Sequence, residues 1–476
     1  MKKYFSQSRS IHRVFGIFFA TIIALCLVLS SCDGYRRSVD SGWEQVPEIL
    51  SQIVPPTFPE RDFLITDYGA IGDGQTDCSE AFARAIRACS EAGGGRVVVP
   101  EGIFLTGAIH LKSNVNLHIT KNATIRFSTD PQKYLPVVYT RFEGVECMNY
   151  SPFIYAYEAE NIAITGSGTL DGQAGNDNWW QWKGRAATGW EAGEPNQNRD
   201  REALFRMGEE GLPVQERIFG ENHYLRPNFI QPYKCKNILI DSITVVRSPM
   251  WEIHPVLCEN VTVQNVRVIS HGPNNDGCNP ESSKNVLIRN SYFDTGDDCI
   301  AIKSGRNADG RRVNVHSENI VIQKCTMKDG HGGVVIGSEM SGGVRNIFVE
   351  DCVMDSPNLE RALRIKTNSM RGGVVENIFM RNVTVGEVSD AVIRVNFNYG
   401  EGDVGNHIPV VRNIYIKNVT SKKSQYALYL AGYERSVISN FFLENCRFDG
   451  VEKGNMLMHY QNLNMKNVFI NGQIVS

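Results

Sequence analysis

This 476-residue chain is expected to fold as an all-β protein, a single-stranded right-handed parallel β-helix (solenoid) with a short N-terminal capping helix. Three observations carry that expectation. The first is a phrase of asparagine followed by alternating apolar residues. It recurs as Asn237-Ile-Leu-Ile, Asn260-Val-Thr-Val, Asn285-Val-Leu-Ile, Asn319-Ile-Val-Ile, Asn346-Ile-Phe-Val, Asn377-Ile-Phe-Met, Asn413-Ile-Tyr-Ile, Asn440-Phe-Phe-Leu and Asn467-Val-Phe-Ile, with an earlier copy at Asn161. The second is spacing: from Asn237 onward the steps between successive asparagines are 23, 25, 34, 27, 31, 36, 27 and 27, the period of a solenoid. The third is alternation of β-branched with polar residues, which is strand periodicity. Units this small cannot bury an apolar face alone, so they must stack. Asparagine tolerates the left-handed conformation and bonds to turn backbone, so its recurrence predicts a structural amide ladder.

Residues 1–31 read as a removable leader. Lys2, Lys3, Arg9 and Arg13 give a basic start, and Val14 to Leu29 is an apolar run of sixteen residues, short for a membrane span and suited to a secretory signal. Leu29-Ser30-Ser31-Cys32 resembles the lipobox of bacterial lipoproteins. That implies acylation of Cys32, export, and lipid anchoring in the bacterial cell envelope, at the periplasmic face or the outer membrane. Residues 32–61 are polar and proline-containing and predict a tether with little structure. Losing the four leader cations and no carboxylates moves the net charge from −3 to −7. A nucleic-acid-binding surface is therefore not expected, and an anionic substrate would need local cations. The lipid is the only membrane contact expected, and the protein is expected to be a monomer.

Residues 62–476 read as one domain. The glycine-rich turn Ile65 to Asp77 precedes a helical stretch, Ser79 to Ala88, which stops at Gly93-Gly-Gly95. Such a cap is needed because an open solenoid end leaves strand edges unpaired. Between about 173 and 231 the periodicity lapses into an insert containing Trp179, Trp180, Trp182 and Trp190. Long loops in compact folds are usually functional or structured. These rings suit either stacking on a ligand or a satellite apolar cluster. The coils then resume to the C-terminus. Cys325, Cys352 and Cys446 each lie six residues after a repeat asparagine, where other coils carry Ser291, Val383 and Val419, so cysteine acts there as a small inward hydrophobe. Cys78 and Cys89 flank a helix of about 16 Å, too far apart for a bond. Most thiols are expected unpaired, with Cys325 and Cys352 the pair to check.

The chemistry concentrates in four motifs: Gly272-Pro-Asn-Asn-Asp-Gly277, Gly296-Asp-Asp-Cys299, Gly330-His-Gly332 and Arg364-Ile-Lys366. The steps from Asp276 to Asp297, to His331 and to Arg364 are 21, 34 and 33. Those are coil lengths, so stacking would bring these residues side by side. Three ionised acids in one patch repel, so their environments must separate their pKa values. That arrangement serves glycoside hydrolysis, in which one carboxyl protonates the leaving oxygen and another activates water. Adjacent Asp297 and Asp298 can share a site only at a strand end. The same oxygen ligands would suit calcium, but His331, Arg364 and Lys366 beside them would repel a cation. No metal or cofactor is expected.

Together these motifs resemble those of the polygalacturonases, glycoside hydrolase family 28, from about Asp62 to the end. The turn and helix before residue 95 likewise resemble the cap of pectin-degrading β-helix proteins. The resemblance implies an inverting hydrolase of α-1,4-galacturonosidic bonds in pectin. It implies Asp297 as general acid, Asp276 and Asp298 positioning and activating water, and His331 tuning the acid. It also implies Asn274, Arg364, Lys366 and, more loosely, Tyr399 as substrate contacts, the two cations holding the sugar carboxylate on the leaving-group side. The family's Asn-Thr-Asp is Asn274-Asn275-Asp276 here and its Asp-Pro-Asp is Asn279-Pro-Glu281, changes that would alter which sugar is accepted. His254 is a further candidate cleft residue, or a structural one. The insert, walling off one end of the cleft, leans the expectation towards exo-action. The alternatives are a hydrolase of rhamnogalacturonan or other substituted pectin, a calcium-dependent pectate lyase on the same fold, and a non-catalytic glycan-binding solenoid.

Overall fold

The computed structural model describes residues 42–475; the leader, Cys26 and Cys32 lie outside the described residues. The chain is a parallel β-helix. Two of its ladders belong to a 23-stranded sheet. In one, Gly95–Val99, Val115–Ile119, Glu160–Gly166, Lys236–Asp241, Glu259–Gln264, Lys284–Arg289, Ser317–Gln323 and Val344–Glu350 each run parallel to the next. In the second, Thr169–Asp171, Thr244–Val246, Arg267–Ser270 and Tyr292–Thr295 do the same. The third ladder carries the chemistry. It passes from Ile230–Tyr233 through single bridges at Ile253 and Cys278 into Asp298–Ile302, Gly332–Gly337, Arg361–Lys366, Ala391–Asn396 and Tyr426–Ala431.

Register explains why the apolar alternation had to be kept. Ile238, Val261, Val286, Ile320, Ile347, Ile378, Ile414 and Phe441 are successive partners, and all are buried in one core. Burying each such side chain contributes roughly 1.5–3 kcal/mol, and a one-residue slip would turn the whole column outward. The asparagine ladder is present. Each Nδ2 donates to the Oδ1 of the preceding coil, from Asn237 to Asn161 at 2.9 Å through Asn319 to Asn285 at 3.1 Å to Asn440 at Asn413, 3.0 Å. Every one of these residues is left-handed. The last rung is Asn462, bonded to Asn440 at 3.0 Å. Asn467, expected to be that rung, instead bonds Asn445 at 2.8 Å on a parallel outer ladder. The final coil is shorter than the spacing suggested, and register overrides the similar local phrase.

The capping helix spans Ser79–Glu91 and buries Ala81, Phe82, Ala85, Ile86 and Cys89 on one face. All ten described cysteines are free and buried, Cys325 and Cys352 included. Two expectations need correcting. Within 32–61, read as a tether with little structure, Val46–Gln52 is helical. Pro47 sits in its first turn, where its missing N–H costs nothing. Gln52 accepts a hydrogen bond from Asn285 Nδ2 at 3.2 Å. The insert is not loop-like either, containing short 3-10 turns and the helix Asn198–Glu209. Trp179 is buried in the main core, with Trp182 at 4.9 Å and Tyr134 at 5.6 Å between ring centroids. Trp180 donates its indole N–H to Ser248 O at 2.9 Å, and its ring lies so close to Gly272 that a Cβ there would sit 2.2 Å from it. Trp179, Trp180 and Trp182 fasten the insert to the solenoid, while Trp190 bonds within the insert, to Glu194 O at 2.9 Å.

Candidate active site

A cavity of about 940 Å³ opens on the third ladder, and Asn274, Asp276, Asp297, Asp298, His331, Arg364, Lys366 and Tyr399 all line it. Coil stacking puts them there. Gly332 is the register partner of Asp298 and Arg364 that of Val335, so His331 and Arg364 arrive on successive coils. The strand Asp298–Ile302 begins at Asp298. Asp297 therefore precedes the pleat, which lets both carboxyls face one space.

Each acid has a different setting. Asp297 Oδ1 accepts from His331 Nδ1 at 2.9 Å and from the Asp298 N–H at 3.0 Å. Its Oδ2 faces Asn274 Nδ2 at 3.5 Å. Burial works to raise the Asp297 pKa. The His331 hydrogen bond and charge, with Lys366 and Lys303, outweigh it and hold the carboxyl below the ordinary range. In return Asp297's hydrogen bond lifts the His331 imidazole to about 9. Asp276 goes the other way. Burial, and then the charge of Asp297, push it well above the ordinary carboxylate range despite Lys303. Its Oδ2 accepts from Asn279 Nδ2 at 2.8 Å and lies 3.5 Å from Lys303 Nζ. Asp298 is wholly enclosed, with Lys366 Nζ at 2.6 Å and Arg364 Nη1 at 3.5 Å. Tyr399 lies beneath both cations, its ring centroid 5.5 Å from Arg364 and 5.3 Å from Lys366.

The motif departures turn out to be internal. Asn275 accepts from Ser270 Oγ and from the Gly272 N–H, both at 2.7 Å, and donates to Ser248 O and Met250 O. Glu281 pairs with buried Arg141 at 3.0 Å and His254 at 2.7 Å. Neither Asn275 nor Glu281 borders the cavity, and His254 is a fully buried structural residue. Asn279 matters differently, since its amide donates to Asp276 where an aspartate would repel it. None of the insert's four tryptophans lines the cavity; Trp251 does.

Several lining residues escaped the sequence reading. Lys303 is buried, bonded to Glu339 Oε2 at 3.0 Å and lying 4.5 Å from the Trp251 ring centroid. Glu339 also meets Arg306 Nη1 at 3.5 Å. Arg306 and Arg371 both reach Glu401, at 3.1 and 3.4 Å, and all three line the cavity. From the insert, Lys183 Nζ donates to Asn274 Oδ1 at 2.6 Å, and Arg201 pairs with Glu143 at 2.6 Å. In register Lys303 is the partner of Glu281, one coil after it and not in phase with Asp276. Glu339 lies beyond the end of the strand Gly332–Gly337, so the count that found the acids passes these two by.

The glycosyl hydrolases family 28 model matches residues 220–473, more than half of the chain and all the site-bearing coils. This chain belongs to glycosyl hydrolase family 28. Residues 63–136 match a second model, rhamnogalacturonase A/epimerase, pectate lyase-like; that stretch holds the cap and first coils and none of the site residues. A probable polygalacturonase of Vitis vinifera is 30% identical over 398 residues, covering 80% of this chain and 73% of the relative. An exo-poly-alpha-D-galacturonosidase of Dickeya chrysanthemi is 28% identical, covering 81% and 67%. The crystal structure of a hyperthermoactive exopolygalacturonase from Thermotoga maritima superposes with a TM-score of 0.88 at 49% identity, covering 91% of this chain and 96% of that one. The protein is thus a glycoside hydrolase, not a lyase or a bare adhesin.

Proposed function

We propose that this family 28 enzyme is an exo-acting polygalacturonase, hydrolysing α-1,4 bonds to release terminal galacturonate from pectin with inversion at the anomeric carbon. The observation that carries the reading is the meeting of three carboxyls, the His331–Asp297 pair and the Arg364–Lys366 couple in one cavity. The exo character is supported by the insert, whose Lys183, Arg185 and Arg201 line the cavity on the Asn274 side. Arg364 and Lys366 receive the carboxylate of the sugar on the leaving side. That added anion offsets the Lys366 charge that helps keep Asp297 ionised, and Asp297 then takes the proton waiting 2.9 Å away on His331 Nδ1 and delivers it to the leaving oxygen. Asp276 and Asp298 hold and deprotonate the attacking water on the opposite face.

One observation favours a second reading: burial and the charge of Asp297 raise Asp276 while His331 holds Asp297 low, as if the two exchanged roles. An aryl galacturonide separates them, because a good leaving group needs no general acid. Asp297→Asn should lose roughly 10²–10⁴-fold on oligogalacturonate yet retain most activity on the aryl substrate, while Asp276→Asn loses both. The opposite pattern would exchange the assignments. If the wild type produces no galacturonate from homogalacturonan, or products of retained configuration by NMR, the reading fails. The lipobox-like motif supports export and lipid anchoring through Cys32 in the cell envelope.

A further inference from the structure

Buried charges are normally paired, and the acids of this site obey that rule, as do Arg364 and Lys366 through Asp298. Two cations on the other side of Asp297 do not. Arg226 is fully enclosed, yet its guanidinium meets only neutral oxygens: Gln197 Oε1 at 3.0 Å, Pro249 O and Pro273 O at 2.7 Å, and Asn274 Oδ1 at 2.9 Å. Lys183, partly buried, shares the same Asn274 oxygen at 2.6 Å and lines the cavity. No carboxylate among the described residues forms an ion pair with either. Burial pulls the Lys183 ammonium down to about 8, with the Arg226 charge adding to it, and burial pulls Arg226 down to about 10. Arg185 stands exposed at the same rim. Glu143 acts on both cations and Asp297 on Arg226, but only through space. A cationic wall without direct ion pairs is costly to fold, and it becomes favourable once an anion enters.

Position says which anion. Asn274 approaches Asp297 Oδ2 from the coil before it, whereas His331, Arg364 and Lys366 come from the coils after it. The scissile bond beside Asp297 therefore has one cationic group on each side. We propose that Lys183, backed by Arg226 and with Arg185 at the rim, receives the carboxylate of the sugar on the non-leaving side. The enzyme then demands an ionised galacturonate as the terminal unit it removes. This deepens the polygalacturonase reading and rests on it. Because both cations bond Asn274 Oδ1, they also turn its amide nitrogen towards Asp297, so that filling the receptor and ordering the acid involve the same side chain.

The test compares two disaccharide substrates with the full enzyme: digalacturonate, and its analogue methyl-esterified only on the non-reducing sugar. The wild type should prefer the free acid by roughly 10- to 100-fold in kcat/KM, the strength of a charge-assisted contact. Lys183→Met should collapse that preference, and Lys183→Arg should keep most of it, with thermal melts reporting the fold of each. A Lys183→Met variant that slows both substrates equally, leaving the preference intact, would reduce Lys183 to a support for Asn274 and overturn the proposal. Failure of the wild type on digalacturonate and homogalacturonan alike would instead sink the activity assignment.

Discussion

Lys303→Met is the most discriminating perturbation of this site. The ammonium lies 3.0 Å from Glu339 and 3.5 Å from Asp276, over the Trp251 ring, with its side chain 3% exposed. Removing one member of a buried ionic group costs about 3–5 kcal/mol, because the partners stay behind uncompensated. Glu339 keeps Arg306 and Asp276 keeps Asn279, so a loss of about 3 kcal/mol is expected in denaturant titration. Activity should respond with a definite sign. Lys303 opposes the upward push on Asp276, so its loss raises that pKa further. The acid limb of the kcat/KM profile then moves to higher pH, each unit corresponding to about 1.4 kcal/mol of differential stabilisation. Glu339→Gln should do the reverse, freeing Lys303 to act on Asp276 alone and moving the limb to lower pH. Opposite shifts cannot come from loosened packing, which would act the same way in both variants. If the limbs stay put, or both move together, Lys303 is a structural ion and its coupling to Asp276 is refuted.

The His331–Asp297 pair carries a stability signature. The folded-state pKa of His331, about 9, exceeds the unfolded value near 6.5, so its stabilisation is complete below pH 6.5 and is lost as pH rises through about 9. Asp297, held low, adds stability that disappears only as pH falls through the acidic range. Denaturant midpoints of wild type and His331→Gln should thus differ most near pH 6 and converge by about pH 9.5; a gap independent of pH would contradict the pairing. At the other end of the chain, metabolic labelling with a radioactive fatty acid should mark the full-length protein in a bacterial host and leave Cys32→Ser unmarked. Equal labelling, or none in either, would remove the lipid anchor.

The repeat phase made one part of this molecule readable and left another dark, for a physical reason. Asp276, Asp297, His331 and Arg364 ride on coils of the solenoid, so distance along the chain converts directly into position across it, and their convergence followed from counting residues. Lys303 and Glu339 fall outside that count, since Lys303 is the register partner of Glu281 and Glu339 follows the end of its strand. They reach the site by side-chain length, and Lys303 is drawn in by Glu339 and Asp276. Asn467 shows the limit of the count itself. Its local phrase copies the repeat, yet the shortened last coil gives the rung to Asn462. Lys183, Arg226 and the helix Asn198–Glu209 lie in a segment without any period, where spacing has no meaning. Their placement depends on Trp179 sinking into the core and on Trp180 packing against Gly272, contacts that alternation cannot encode. Bond-cleaving groups belong to the periodic scaffold and end-recognition groups to the aperiodic insert. A sequence of this kind therefore discloses its reaction more readily than the polymer end on which it acts.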